Sequence, residues 1–137
     1  MKKQLLLIVM MVSSIVASAY DFSVTNAEGK TFYFNKLWDT DVAIVKGDIQ
    51  YAGDVVIPEK VEYEGVTYSV VQIAEKAFMG CPDLISVVMP GSITYIGNQA
   101  FDSDWQMTSI SFSENITSIG ESAFENCRNI KEIIGVR

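Results

Sequence analysis

The chain contains no histidine. That absence removes both the commonest general base and the commonest side-chain ligand of transition metals. No Gly-x-Ser-x-Gly elbow, Walker loop or dinucleotide fingerprint occurs either, so the usual nucleophile and phosphate-cradling motifs are missing. Positive charge is in short supply, with 10 Lys and Arg against 17 Asp and Glu and a net charge of −7. Such a surface repels phosphate backbones and anionic lipid at long range, which disfavours nucleic acid and membrane-surface partners. The acids are scattered rather than blocked, as on a solvated surface. The longest apolar stretch, Leu5 to Ala19, is shorter than the roughly 20 residues a membrane-crossing helix needs. The sequence therefore predicts no enzyme, no cofactor and no metal centre.

What the first residues do carry is a leader. Lys2 and Lys3 precede the apolar run Leu5–Val12, and Ala17-Ser18-Ala19 supplies small residues at the cleavage positions. This three-part layout predicts a secretory signal peptide over 1–19, cut before Tyr20, with an exported chain and no membrane insertion after cleavage. Losing Lys2 and Lys3 takes the net charge from −7 to −9.

The dominant signal is internal repetition. Ile73, Ile96 and Ile119 share one step of 23 residues with Ala77, Ala100 and Ala123, and with Phe78, Phe101 and Phe124. Leu84, Met107 and Ile130 keep the same step, as do Val87, Ile110 and Ile133 and the set Val70, Ile93 and Ile116. Ala74, Gly97 and Gly120 make a seventh set. One such unit cannot bury its apolar face alone, but stacked units can, so the pattern predicts a repeat solenoid. Leu84-x-x-Val87-x-Met89 and Met107-x-x-Ile110-x-Phe112 read as short strands with one inward face, and stacked copies would form a parallel sheet. Asn98–Phe101 and Glu121–Phe124 read as single turns of helix or 3₁₀.

Upstream, Val55-Val56-Ile57-Pro58 matches Val87-Val88-Met89-Pro90 at an offset of 32 residues, nine beyond the repeat. The excess holds Tyr63-Glu64-Gly65-Val66-Thr67-Tyr68, a hairpin signal. Phe22–Thr25 and Thr31–Phe34 flank Asn26-Ala27-Glu28-Gly29 as a second hairpin, and Val42–Val45 is a further strand. The division is a leader over 1–19, a β-rich N-terminal cap with a first partial coil over 20–68, and repeats over 69–137.

The motif Ile-Gly-x-x-Ala-Phe-x-x-Cys followed by Leu-x-x-Val-x-Met-Pro, carried by Ile96–Phe101, Ile119–Cys127 and Leu84–Pro90, resembles the BspA-like leucine-rich repeats of bacterial surface proteins. The lead-in Gly53–Pro58 and Gly65–Val70 is similar to that family's N-terminal cap. The resemblance implies a leucine-rich-repeat-like right-handed coil, and adhesion or host-factor binding, commonly to extracellular matrix. The sequence departs from the pattern where Asp104 replaces Cys, where Ser113 replaces Pro and where Gly135 falls on the inward position of Met89 and Phe112.

Several residues that suggest chemistry have plainer roles open to them. Asp39-Thr40-Asp41 begins like a calcium loop, but Ile44 and Gln50 stand where Gly and Glu are required, which favours a solvated turn. Asp102 and Asp104 are a carboxylate pair in principle, yet the coil corner assigns them to loop solvation and turn chemistry. Cys81 and Cys127 lie two coils apart, about 9.6 Å by strand spacing, beyond the roughly 7 Å that a disulfide bridges between Cα atoms. Two free thiols are expected. Asn115-Ile116-Thr117 matches the glycosylation sequon, but Ile116 is a core position. Trp105, on the corner between Asp104 and Gln106, reads as an exposed recognition aromatic or a partly buried corner plug, and the plug is favoured because isolated surface aromatics are ordinary. The outward strand positions Ser86, Ser109 and Glu132, with Val88, Ser111 and Ile134 beside them, form the candidate binding surface. Thr94, Tyr95, Thr117 and Ser118 make a second exposed ladder. The expected partner is a protein or glycan, host extracellular matrix included; the alternative is a structural spacer or capping module without its own ligand. The last coil has no recognisable cap and is expected to self-associate through its open edge.

Overall fold

The computed structural model describes residues 19–135, so all but the last residue of the expected leader lies outside the described residues, as do Val136 and Arg137. Three hairpins open the fold. β1 (Phe22–Thr25) and β2 (Thr31–Lys36) are antiparallel, with Thr25 opposite Thr31 and Phe22 opposite Phe34. Their turn is shaped by Asn26, whose Oδ1 accepts the backbone N–H of Glu28 and of Lys30, both at 2.9 Å. β3 (Asp41–Val45) returns antiparallel to β2 through a tight turn at Asp39, φ 48°. Asp39-Thr40-Asp41 is thus a hairpin turn running straight into a strand. β4 (Gly53–Val56) follows, then the hairpin of β5 (Lys60–Tyr63) and β6 (Val66–Ile73). Glu64 and Gly65 both take positive φ, 50° and 81°, as a two-residue hairpin turn matched to strand twist demands.

From β7 onward every new strand pairs in parallel. β7 (Leu84–Val88), β9 (Ser109–Ser111) and β11 (Glu132–Ile134) join β4 in one four-stranded sheet, order β11-β9-β7-β4. β8 (Tyr95–Ile96) and β10 (Ser118–Ile119) extend the second sheet, order β1-β2-β3-β6-β8-β10, with β5 alongside β6. The register sets Ser86 against Ser109 and Ser109 against Glu132, and sets Gln72 against Tyr95 and Tyr95 against Ser118. Val55 pairs with Val87 and Val56 with Val88, so the residues of the 32-residue offset are neighbours, with a bulge between Gly53 and Asp54.

The two sheets enclose one apolar core. Leu84, Val87, Met89, Met107 and Ile110 enter it from the four-stranded side, and Val70, Ile73, Ile93 and Ile96 from the other. Between the sheets the rings of Phe78 and Phe101 stack at 4.9 Å and those of Phe101 and Phe124 at 5.1 Å. Tyr51 continues the stack below Phe78 at 4.5 Å, and its hydroxyl donates to Val45 O at 2.6 Å.

The corners differ from expectation. Asn98–Phe101 and Glu121–Phe124 form hydrogen-bonded turns, and no helix occurs among the described residues. Two features explain it. Lys76, Gln99 and Ser122 take left-handed φ values of 61°, 56° and 56°, and Gly80, Ser103 and Asn126 values of 65°, 65° and 63°, which break a right-handed helix twice per corner. Alternate amides also point to the next coil instead of back along their own: Gln99 N donates to Glu121 O, Phe101 N to Ala123 O and Ser103 N to Glu125 O, at 2.8–2.9 Å.

Candidate binding surface

Parallel pairing in register lines up the outward side chains of the four-stranded sheet in two rows. One row is Asp54, Ser86, Ser109 and Glu132; the other is Val56, Val88, Ser111 and Ile134. Alternation along each strand sends Val55, Val87 and Ile110 into the core and turns their neighbours out. In the polar row Ser86 Oγ donates to Asp54 Oδ1 at 2.7 Å. In the apolar row Val56 is 62% exposed and Val88 42%, side by side across the ladder, with Ile134 at 47% beyond Ser111. Ser86, Ser109 and Ser111 are half-buried between these neighbours. The seven candidates do not all meet. Tyr95 lies on β8 in the other sheet and is half-buried, beside exposed Thr94, Thr117 and Ser118. Thr117 Oγ1 in that ladder donates to Thr94 O at 3.0 Å. Val56 and Asp54 are the residues that sequence reasoning left out of the surface, although the 32-residue offset already aligned them with Val88 and Ser86.

The opposite corner holds two further departures. Trp105 is no plug: it stands 58% exposed, because the slot inside the corner is taken by Asp104. Asp102 and Asp104 in turn are buried, not solvated. Asp102 accepts Gln99 Nε2 at 3.0 Å and Ser103 Oγ at 2.8 Å. Asp104 Oδ1 accepts the Cys81 backbone N–H at 2.8 Å, while its Oδ2 has no partner. Burial pushes the Asp104 carboxyl up to about 8, against the pull of the Cys81 N–H, and Asp102 adds to the rise. Cys81 and Cys127 are free, and Cys127 Sγ donates to Phe101 O at 2.9 Å. Burial pushes both thiols up to about 11, which makes poor nucleophiles of them. Among the described residues no three Cys, Asp or Glu side chains converge as metal ligands.

The comparisons with known proteins agree with this architecture. No curated protein matches the sequence. Among solved structures, a leucine-rich repeat protein from Bacteroides capillosus ATCC 29799 is 30% identical over 81% of this chain and 80% of its own, with a TM-score of 0.69. A leucine rich cell surface protein from Faecalibacterium prausnitzii A2-165 is 23% identical over 82% of this chain, with a TM-score of 0.67. A leucine-rich repeat protein from Bacteroides ovatus ATCC 8483 is 20% identical over 84% of it, with a TM-score of 0.56. The chain spans only 30% of the Faecalibacterium protein and 41% of the B. ovatus one. The family model for the BspA type leucine rich repeat region matches residues 59–135 in 6 copies, which takes in every parallel strand from β6 to β11. The chain belongs to the BspA-type leucine-rich repeat family.

Proposed function

We propose that the protein is an exported cell-surface binding module, a short right-handed solenoid that adheres to a protein ligand through the outward face of its four-stranded sheet. The observation that carries this reading is the exposed apolar pair Val56 and Val88, continued by Ile134 and bordered by the polar row Asp54, Ser86, Ser109 and Glu132. A spacer has no use for branched apolar side chains there. A partner gains by covering them, and the polar row fixes the register of the contact. The expected leader over 1–19 and the surface description of the Faecalibacterium protein both support a cell-surface address. Extracellular matrix protein is the ligand class favoured.

Binding of the mature chain to immobilised matrix proteins, read by biolayer interferometry, tests the proposal. Val88→Glu places a charge at the centre of the apolar row and should weaken binding by at least about tenfold, roughly 1.4 kcal/mol. Its melting temperature should stay near the parent's, because the position is outward. Binding that survives the double change Val56→Glu, Val88→Glu would rule this face out. No binding to any matrix protein would favour the spacer instead.

A further inference from the structure

Because β4, β7, β9 and β11 are parallel neighbours, the loops that lead into them lie side by side along one edge of the sheet. That edge carries Ile49–Ala52, then Pro82–Asp83, then Trp105–Gln106, then Arg128–Asn129. The middle of it is built with care. Asn129 Nδ2 donates to Trp105 O at 2.6 Å, and the preceding residue, Asp104, is fully buried with its carboxylate on Cys81 N. The main chain under the indole is therefore fixed from both sides, while the indole itself is 58% exposed. Its neighbours one coil below and one above, Pro82 with Asp83 and Arg128 with Asn129, are exposed as well, as is Gln106.

We propose that Trp105 is the stacking platform of a carbohydrate-binding site on this edge, with Asp83, Gln106 and Arg128 as its polar rim. A pyranose ring has one face of C–H groups and a circumference of hydroxyls. The indole offers the first a flat apolar seat, and the exposed carboxylate, amide and guanidinium of the adjoining loop positions offer the second acceptors and donors. An apolar peptide side chain fits less well, since anchors of that kind act in enclosed, desolvated pockets. The notch of about 180 Å³ in this region, between Phe32, Ile49, Tyr51 and Val55, is lined by none of the residues of the other three loops. Arg128 adds a preference for sugars that carry a carboxylate. The site lies apart from the outward sheet face and does not rest on the proposal made for it.

Trp38 is the second tryptophan and sits on the β2–β3 turn. A Trp38→Phe chain therefore reports Trp105 alone by fluorescence. Titration with tetrasaccharides of cellulose, chitin and mannan, and with an acidic hyaluronan tetrasaccharide, should give a saturable shift with at least one. Trp105→Ala, read by calorimetry with the same sugar, should weaken binding at least about tenfold and leave the melting temperature unchanged. Val88→Glu should leave sugar binding intact, so that this site and the sheet face fail or succeed separately. No shift with any of the four sugars at millimolar concentration would overturn the proposal. So would binding that persists in Trp105→Ala, or a shift produced only by a proline-rich peptide.

Discussion

Asp104 occupies the slot that Cys81 and Cys127 fill in the coils on either side, and the exchange has a thermodynamic consequence. A buried thiol asks little of its surroundings, whereas a buried carboxylate needs partners for both oxygens, and Oδ2 has none. The carboxyl answers by holding its proton up to about pH 8, against an ordinary value of 3.8. A folded-state pKa above the unfolded one means that the native chain binds the extra proton. The stability this gives is complete below about pH 4 and is lost as pH rises through about 8. Asp104→Asn keeps an oxygen for the Cys81 N–H and cannot ionise. It should raise stability above pH 8 by about 1–3 kcal/mol, with the gain shrinking towards pH 4. Denaturant melts of both chains across that range check it, and a gain that does not change with pH would show that ionisation is not the cause. None of this was legible in the sequence, where an aspartate at a corner looks like turn chemistry. The exposure of Trp105 was within reach, since the 23-residue step sets it level with Pro82 and Arg128, both exposed.

Elements were far more legible than single residues, because repetition and hairpins are local signals. The 32-residue offset by itself aligns Val55 and Val56 with Val87 and Val88, and Glu64-Gly65 marks its own turn. What stayed hidden was contact across long separations. Tyr51 joins the stack of Phe78, Phe101 and Phe124 although it holds no place in the 23-residue step. The corners look helical in sequence because the destination of a backbone N–H in the next coil leaves no trace in residue type. Gly97 and Gly120 leave more: a Cβ on Gly97 would meet Glu75 N at 2.5 Å, and one on Gly120 would meet Asn98 N at 2.5 Å. The ring stack makes its own forecast. Phe101 is fully buried between two rings, whereas Phe124 is half-buried against Phe101 and the edge of Phe112. Truncating an enclosed Phe costs about 3–5 kcal/mol. Phe101→Ala should therefore shift a urea melt further than Phe124→Ala, and equal shifts would count against the enclosure of Phe101.

At the scale of the whole molecule, one apolar cluster runs from Phe22 in the first hairpin to Ala123 in the last corner, so the antiparallel hairpins and the parallel strands share a core. Heat loads every part of that core at once. Tension does not. The hydrogen bonds that join one coil to the next, such as Thr108 N to Ile85 O and Lys131 N to Thr108 O, both 2.8 Å, span the gap between stacked strands and so lie along the stacking direction. A pull between the two ends of the stack loads these interfaces in series and opens them like a zipper, one rung at a time, instead of shearing them together. Each coil released should lengthen the tether by about 80 Å, its 23 residues drawn out at roughly 3.5 Å apiece. Single-molecule stretching from residue 20 to residue 135 should show a staircase of such steps at low force. A single rupture that frees the whole chain would mean that the shared core, not the coil interface, carries the load. In the surface-binding role proposed above, such stepwise yielding would keep the grip under a sudden pull, since each opened coil adds slack before a ligand is torn away.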